Sequence, residues 1–396
     1  MHIALASRWY PPHTGNGGVA AYTYYLAHAL AELGHRVSVV AARWSADVPA
    51  YQHDRGVAVH RLLAVHRARL HRLPLLGRHM RAVDQLRYSA RVDQALRQIA
   101  ARDRLDVVEF PEVNAEGFVY LRRRQRAPVV VRCHTPTFIL RHYATAAEAP
   151  YSISAIVAME KQSIRRADAL TAPSHDMAQT IARECGLAPG RIQVIPNGLD
   201  VASFTPQAER SAGEDRVTIL HVGRLERVKG VGVLAQAIPA LAAQAPQARV
   251  VFVGEGGMRG QLESCLQAQG VRDQVTFTGS VDPATLAAWY RQADIAAVPS
   301  LNYESFSYTC AQAMAAGLPV VATSMGGMPE TVADGGMIVP PSDTDALVTA
   351  LCTLVREPEL RLALGQRARQ RAHTHFSAAV VAEQTASVYQ RELRQR

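Results

Sequence analysis

Two cations stand close together in GRLERVKG, residues 223–230: Arg224 and Lys229. Arginine offers a planar fork of donors and lysine a point charge, which beside backbone amides freed by Gly223 and Gly230 makes a combination suited to a diphosphate; the alternative is a pair of exposed loop cations. Lys229 is one of only two lysines among 43 basic residues, the other being Lys161, so its place in this loop favours the first reading. A second stretch, PSLNYESFSYTCAQAMAAG at 299–317, carries a carboxylate, Glu304, ahead of a helix expected to begin near Phe306 or Ser307, and an amide, Gln312, inside it. The other side chains of that helix are mostly small and apolar, and a buried unpaired charge costs several kcal/mol, so both groups need polar company. A helix start attracts anions through its amides and dipole. A carboxylate beside such a site is suited to accept hydrogen bonds from hydroxyls, as on a sugar. His134 closes the apolar run APVVVRCH and is by itself either a hydrogen-bonded structural histidine or a catalytic one.

These residues need loops that leave strands and enter helices. Residues 2–40 read as a strand (HIALAS), a glycine loop spanning 15–18, an amphipathic helix ending at Gly34 and a second strand (RVSVVAA), one βαβ unit. Residues 217–253 repeat the scheme with VTILHVG, the loop RLERVKG, the helix VGVLAQAIPALAAQ and RVVFVG. Two such beginnings imply two α/β domains with a cleft, and the polar stretch 203–216 reads as their linker. Short apolar runs at APVVVRCH, ALTAPS, VTFTGS, IAAVPS, PVVAT and MIVP alternate with helical segments, so both sheets should be mostly parallel and covered on both faces. Ligands on such sheets bind at the carboxyl ends of the strands, where the glycine loops at 15–18, 223–230 and 254–257 fall.

The bulk properties exclude several classes. At 396 residues and 48% hydrophobic content the chain can fill two domain cores. Its five cysteines are scattered and never in C-x-x-C spacing, which suggests neither a disulfide framework nor a zinc site and fits a reducing, cytoplasmic setting. No secretory leader opens the sequence and no run of about 18 apolar residues occurs. The net charge of +9 favours an anionic partner without separating nucleic acid, phospholipid and phosphorylated metabolites. The arginine- and histidine-rich stretch 60–98 and the run RRRQR at 122–126 read as solvated helix faces, with peripheral contact to a membrane surface or an acidic acceptor as the alternative. S-D-T-D at 342–345 reads as a helix N-cap, Ser342 or Asp343, rather than a metal motif. G-E-G-G-M-R-G at 254–260 misses the spacing of a dinucleotide fingerprint, and no G-x-S-x-G, H-E-x-x-H or Walker A sequence is present.

Taken in order, GG at 17–18, R-A-D-A-L-T-A-P-S at 166–174, I-P-N-G-L-D at 195–200, G-R-x-x-x-x-K-G at 223–230, G-E-G at 254–256, F-x-G at 277–279, and A-D-I-A-A-V-P-S followed by E-S-F and A-M-A-A-G-L-P-V-V-A resemble the retaining glycosyltransferases of family 4. The resemblance implies the α/β GT-B fold, two Rossmann-like domains with mostly parallel sheets facing each other across a cleft. It implies an acceptor-binding domain at 1–202, a linker at 203–216, a nucleotide-sugar-binding domain at 217–376 and a C-terminal helix at 377–396 crossing back to the first domain. Arg224 and Lys229 would bind the donor diphosphate, Glu304 the sugar hydroxyls, and the amides of Phe306, Ser307, Tyr308 and Thr309 the sugar and distal phosphate, with Gly223 and Ser305 also among the donor-binding residues. Gly17 and Gly18 would close over the donor and His134 would touch the transferred sugar. Gly254, Gly256, Ser280 and Val281 would flank the base.

By the same resemblance the donor is a nucleotide-diphosphate sugar, a UDP- or GDP-sugar, acting as co-substrate with no cofactor, no metal and no nucleic acid partner. Its acceptor would be a small metabolite, a glycan or a lipid-linked species, and the enzyme would be cytoplasmic with peripheral contact at the inner membrane face. Two positions depart from the family pattern: Gln312 replaces the second glutamate of a pair, where it would meet the ribose, and Ser307 replaces a glycine. A phosphorylase or epimerase on the same fold, or a weakly active sugar-nucleotide-binding protein, are the competing readings.

Overall fold

A computed structural model of the chain describes residues 1–14, 17–64, 76–142, 153–205 and 216–395. Gly15 and Asn16 of the first glycine loop, residues 206–215 of the expected linker and residues 65–75 of the basic stretch therefore lie outside the described residues. The chain divides into two units, Met1–Gly198 with Ala378–Arg396, and Leu199–Ser377.

The first unit is built on eight strands: β1 (His2–Ala6), β2 (Arg36–Arg43), β3 (Tyr51–Asp54), β4 (Val57–Leu63), β5 (Val107–Pro111), β6 (Val129–Arg132), β7 (Ala169–Ala172) and β8 (Ile192–Val194). They lie in the order β3-β4-β2-β1-β5-β6-β7-β8, all pairs parallel except the β3–β4 hairpin. β1, β5, β6 and β7 are buried at every residue, as expected of parallel strands covered on both faces. Among the described residues five helices follow in chain order: α1 (Gly18–Glu32), α2 (Leu76–Arg102), α3 (Thr137–Leu140), α4 (Ile153–Arg166) and α5 (His175–Cys185). Residues 60–63 of the basic stretch are thus strand and not helix, because Val57 and Val59 alternate inward beside β2.

The second unit has six strands, β9 (Val217–Val222), β10 (Ala248–Val253), β11 (Val275–Gly279), β12 (Ile295–Val298), β13 (Val320–Thr323) and β14 (Gly336–Val339). Their order is β11-β10-β9-β12-β13-β14, every ladder parallel. Seven helices cover it: α6 (Val231–Gln244), α7 (Arg259–Ala268), α8 (Pro283–Gln292), α9 (Tyr308–Ala315), α10 (Met328–Val332), α11 (Thr344–Arg356) and α12 (Pro358–His375). Phe204, at the edge of the expected linker, is buried edge-on against Tyr290 of α8 and so belongs to this unit's core.

The last helix, α13 (Ala378–Arg394), returns to the first unit. Its Val381, Ala382, Ala386, Val388 and Tyr389 recur on one face and join a core cluster with Leu26, Leu30 and the strands β1 and β2. Gly198 lies so close that a β-carbon there would meet the Ala378 α-carbon at 3.0 Å.

In each sheet the strand order reverses at one place, between β1 and β5 and between β9 and β12. Loops diverge there and leave a crevice at the carboxyl ends of the strands. The loops after β9 and β12 carry Arg224, Lys229 and Glu304, and the loop after β1 runs into Gly17.

The S-D-T-D segment caps a helix: the Asp343 carboxylate accepts from the Ala346 amide at 2.8 Å at the start of α11. Asp343→Ala should therefore lower stability by about 1 kcal/mol, read from urea unfolding, and leave catalysis unchanged.

Candidate active site

The crevice of the second unit is closed at its base by a backbone contact. The turn Arg227–Lys229 ends at Gly230, whose φ is +71°, and a β-carbon on Gly230 would stand 1.7 Å from the Pro299 carbonyl oxygen. The Leu301 amide donates to the Val228 carbonyl at 2.9 Å, and the Ser300 hydroxyl donates to the same carbonyl at 3.3 Å. This stitching brings the two loops together. Lys229 Nζ donates to Glu304 Oε1 at 2.6 Å, and Ser300 Oγ lies 3.2 Å from the same oxygen, so its single proton is shared between Glu304 and the Val228 carbonyl. Glu304 is therefore paired, and its carbonyl accepts from the Gly327 amide at 2.7 Å, which fixes its backbone.

Around this pair the other expected residues take up distinct places. Arg224 is exposed and turned to Glu226, with Nη1 donating to Oε1 at 2.8 Å. The amides of Gly223 and Gly230 are not left open for a ligand, as the loop sequence suggested: they donate to the Val253 and Arg227 carbonyls, both at 3.0 Å. Gly254 and Gly256 have a packing reason of their own, since β-carbons there would meet the Gly223 oxygen at 2.1 Å and the Leu225 oxygen at 2.4 Å. α9 begins at Tyr308, one or two residues later than expected, because Ser307 adopts extended backbone and accepts the Cys310 amide at 3.3 Å. Ser305, Phe306 and Ser307 are buried, while Tyr308 and Thr309 are partly exposed at the helix start. One turn on, Gln312 Oε1 accepts from the buried Tyr290 hydroxyl at 3.2 Å. Ser280 is exposed and Val281 half-buried beyond the end of β11.

His221, at the end of β9, was not singled out by its sequence context. Its Nδ1 donates to the Ala297 carbonyl of β12 at 3.0 Å and its buried Nε2 has no partner. Burial lowers its pKa to about 4, so the ring is neutral and Nε2 is an acceptor.

In the first unit, His134 follows β6 and is buried edge-on against Tyr22 of α1, the ring centroids 4.9 Å apart. Burial, then the charge of Arg132, drives its pKa well below 6.5. Gly17 caps α1 at φ −98°, and no atom lies within 4 Å of where its β-carbon would be. Neither sterics nor backbone angle requires glycine there. Gly18 is the first residue of α1.

Four buried carboxyls surround this crevice, and the sequence reading missed all four. Glu109 lies within β5, Glu112 and Glu116 follow it, and Glu160 comes from α4. Glu112 Oε2 accepts the His134 amide at 2.8 Å, whereas Oε1 has no partner. Glu160 accepts the Asn114 amide at 2.9 Å and the Thr137 hydroxyl at 2.6 Å, and Glu116 accepts the Arg8 amide at 2.8 Å. Burial raises Glu112 to about 8 and both Glu116 and Glu160 to about 7. Between them Asn114 and Ala115 hold φ of +59° and +49°, a left-handed pair costing roughly 1–3 kcal/mol per residue. The available signal was V-V-E-F-P, a charge set inside an apolar strand run, which is costly unless the site uses it. Among the described residues no group of three His, Cys, Asp or Glu side chains is placed to hold a metal ion, and no helix is long and apolar enough to cross a membrane.

Two doubly wound α/β units with loops of this kind define the two-domain GT-B fold. Among solved structures, sucrose-phosphate synthase from Thermosynechococcus elongatus matches with a TM-score of 0.80 at 24% identity over 100% of both chains. Anabaena HepE in complex with UDP-glucose matches at a TM-score of 0.69 and 20% identity, covering 99% of this chain and 100% of that one. The sequence profile described as Glycosyltransferase Family 4 matches residues 16–203, and that of Glycosyl transferases group 1 matches residues 216–357. Phosphatidyl-myo-inositol mannosyltransferase of Mycolicibacterium smegmatis is 30% identical over 383 residues, 94% of this chain and 90% of that one. D-inositol 3-phosphate glycosyltransferase of Corynebacterium glutamicum is 32% identical over 286 residues, 68% of each chain. The chain belongs to the group 1 glycosyltransferases of family 4, and is a glycosyltransferase.

The raised pKa of Glu112 has a consequence for stability. Folded Glu112 keeps its proton up to about pH 8, while the unfolded chain releases it near 4.5, so native stability falls as pH rises through that window. Glu112→Gln removes the titration. Its stability relative to wild type should improve between pH 5 and pH 8, by up to about 1.4 kcal/mol per pH unit in urea unfolding. A difference that stays constant would show that Glu112 ionises as an exposed carboxyl does.

Proposed function

We propose that this glycosyltransferase moves a hexose-type sugar from a UDP- or GDP-sugar to an acceptor hydroxyl, with retention of configuration and without a metal. The observation that carries the reading is the Lys229–Glu304 pair at the strand-order reversal of the second unit. A diphosphate entering this crevice competes for the ammonium of Lys229. Once relieved of that partner, Glu304 is an acceptor for sugar hydroxyls, so the same exchange that binds the phosphate frees the group that reads the sugar. Arg224 joins at little cost, because its exposed pair with Glu226 is worth at most about 1 kcal/mol.

The start of α9, with Ser305, Phe306, Ser307, Tyr308 and Thr309, adds its dipole to the distal phosphate. Gly254, Gly256, Ser280 and Val281 line the base, Gly223 lies in the loop that takes the diphosphate, and Gln312 meets the ribose. Gly17 and Gly18 approach the donor closely, and His134 contacts the transferred sugar. Lys229 and Arg224 stabilise the charge that develops on the departing diphosphate, whose oxygen takes the acceptor proton on the face it leaves. The enzyme needs no cofactor. The UDP-glucose bound to HepE and the inositol compounds in the relatives' names support a panel of UDP-sugars with inositol, inositol phosphate and phosphatidylinositol as first acceptors.

Calorimetry with UDP, GDP, ADP and TDP, followed by product analysis, tests this. Transfer to an acceptor with the donor's anomeric configuration is expected, unchanged by EDTA. Release of sugar phosphate or an isomerised donor would identify a phosphorylase or epimerase instead. Lys229→Ala and Glu304→Ala should each lower kcat at least ten- to a hundredfold, the scale of removing one electrostatic stabiliser. Near-normal turnover in either variant would sink the site assignment. Gln312→Glu should tighten donor binding, since a hydrogen bond to a charged acceptor is worth roughly 1.5–3 kcal/mol against about 1 for a neutral one.

A further inference from the structure

Glu109 occupies the middle of β5 with no exposed edge. Its two oxygens are each taken by a tyrosine hydroxyl: Tyr22 of α1 donates to Oε1 at 3.0 Å and Tyr389 of α13 donates to Oε2 at 2.8 Å. Arg132, the nearest cation, spends Nη2 on the Ile195 carbonyl and Asn197 Oδ1, at 2.7 and 2.6 Å, and its guanidinium stacks 4.6 Å above the Tyr22 ring. Tyr22 is thereby held at its hydroxyl by Glu109 and on its face by Arg132, and its ring meets His134 edge-on. Ser7, Tyr22, Glu109 and His134 also line one small cavity of about 10 Å³, room for a single water.

If packing alone mattered, apolar side chains would fill this space at lower cost, because a buried ionisable group is weak evidence for stability. The arrangement instead fixes a direction. Two helices from opposite ends of the sequence, α1 through Tyr22 and α13 through Tyr389, converge on one carboxyl under the histidine that follows β6, Tyr389 lying 280 residues beyond Glu109. We propose that Tyr389 and Glu109 are positioning residues for His134, acting through the Tyr22 ring. The C-terminal helix is then part of the reaction machinery and not only a clasp on the first unit. This rests on the reading that His134 contacts the transferred sugar.

The charge state of Glu109 enters through the same contacts. Burial raises its pKa, while Arg132 from β6, the Tyr389 hydroxyl from α13 and the Tyr22 hydroxyl from α1 oppose the rise. Removing the Tyr389 hydroxyl therefore moves Glu109 further upward.

Tyr389→Phe and Glu109→Gln test the coupling in the full chain, with thermal unfolding as the control for folding. Tyr389→Phe should lower kcat about three- to tenfold with donor and acceptor KM within twofold. The acid limb of its kcat–pH profile should move to higher pH, and the His134 imidazole NMR signals should shift. In Glu109→Gln that limb should vanish. Should Tyr389→Phe fail to fold, Tyr22→Phe and Glu109→Gln, alone and combined, give the coupling from the same readouts. Wild-type kcat, acid limb and His134 signals in folded Tyr389→Phe would overturn the proposal, provided that His134→Ala has lost activity. If His134→Ala keeps full turnover, the assigned role of His134 fails separately, and the imidazole signals alone decide whether Tyr389 positions the ring.

Discussion

Everything about the second unit's crevice follows from the contact between Gly230 and the Pro299 carbonyl. A β-carbon 1.7 Å from that oxygen is impossible, so only glycine lets the turn after β9 rest on the exit of β12. The same turn needs φ of +71°, which glycine adopts without strain. Because the two backbones touch, Val228 accepts from Leu301 and Ser300, and Lys229, one residue on, reaches Glu304. The ion pair is thus a product of steric absence: the missing side chain brings the two charged ones together. A second tier repeats the device, with Gly254 and Gly256 packed on the Gly223 and Leu225 carbonyls, which holds the Arg224 segment beside the loop after β10.

The first unit uses another means to shape its crevice. Its carboxyl edge is held by buried carboxyls that accept backbone amides, Glu112 from His134, Glu116 from Arg8 and Glu160 from Asn114 and Thr137. Each side chain ties a loop to a neighbouring strand or helix, a task that a hydrophobic residue of the same volume cannot perform. Burial raises all three, Glu112 to about 8 and Glu116 and Glu160 to about 7, so near neutrality this edge carries less negative charge than three exposed carboxylates would.

Much of this was readable before any coordinates. The loop glycines at 223–230 and the E-S-F segment announced a polar crevice because cations and a carboxylate were set where strands end. The helix Val231–Gln244 matches its expected bounds, and every apolar run named as a strand is one, with its ends within two residues of those expected. What the sequence hid were relations between distant positions. Glu304 looked unpaired because its partner is 75 residues away, and the amides of Gly223 and Gly230 looked open because their carbonyl partners come from Val253 and Arg227. β3, β4, β5 and β8 were not picked out, since they are short, polar at the edge, or interrupted by charge, as Glu109 interrupts β5.

Gln312 shows how a departure from the family pattern changes meaning once its neighbours are known. Read alone, it is a weakened ribose contact. In the fold its oxygen is engaged by the hydroxyl of Tyr290, which is buried edge-on against Phe204. A neutral amide suits that place because Tyr290 is far from ionising, its pKa raised by burial, and a carboxylate facing it would carry a charge at a half-buried position. Glutamine has a second function the carboxylate lacks, a donor on its other terminal atom, which stays available while the oxygen accepts from tyrosine. Against the family pattern, the glutamine therefore exchanges a charged acceptor for a neutral group that has both polarities, and through Tyr290 the same side chain ties α8 to α9.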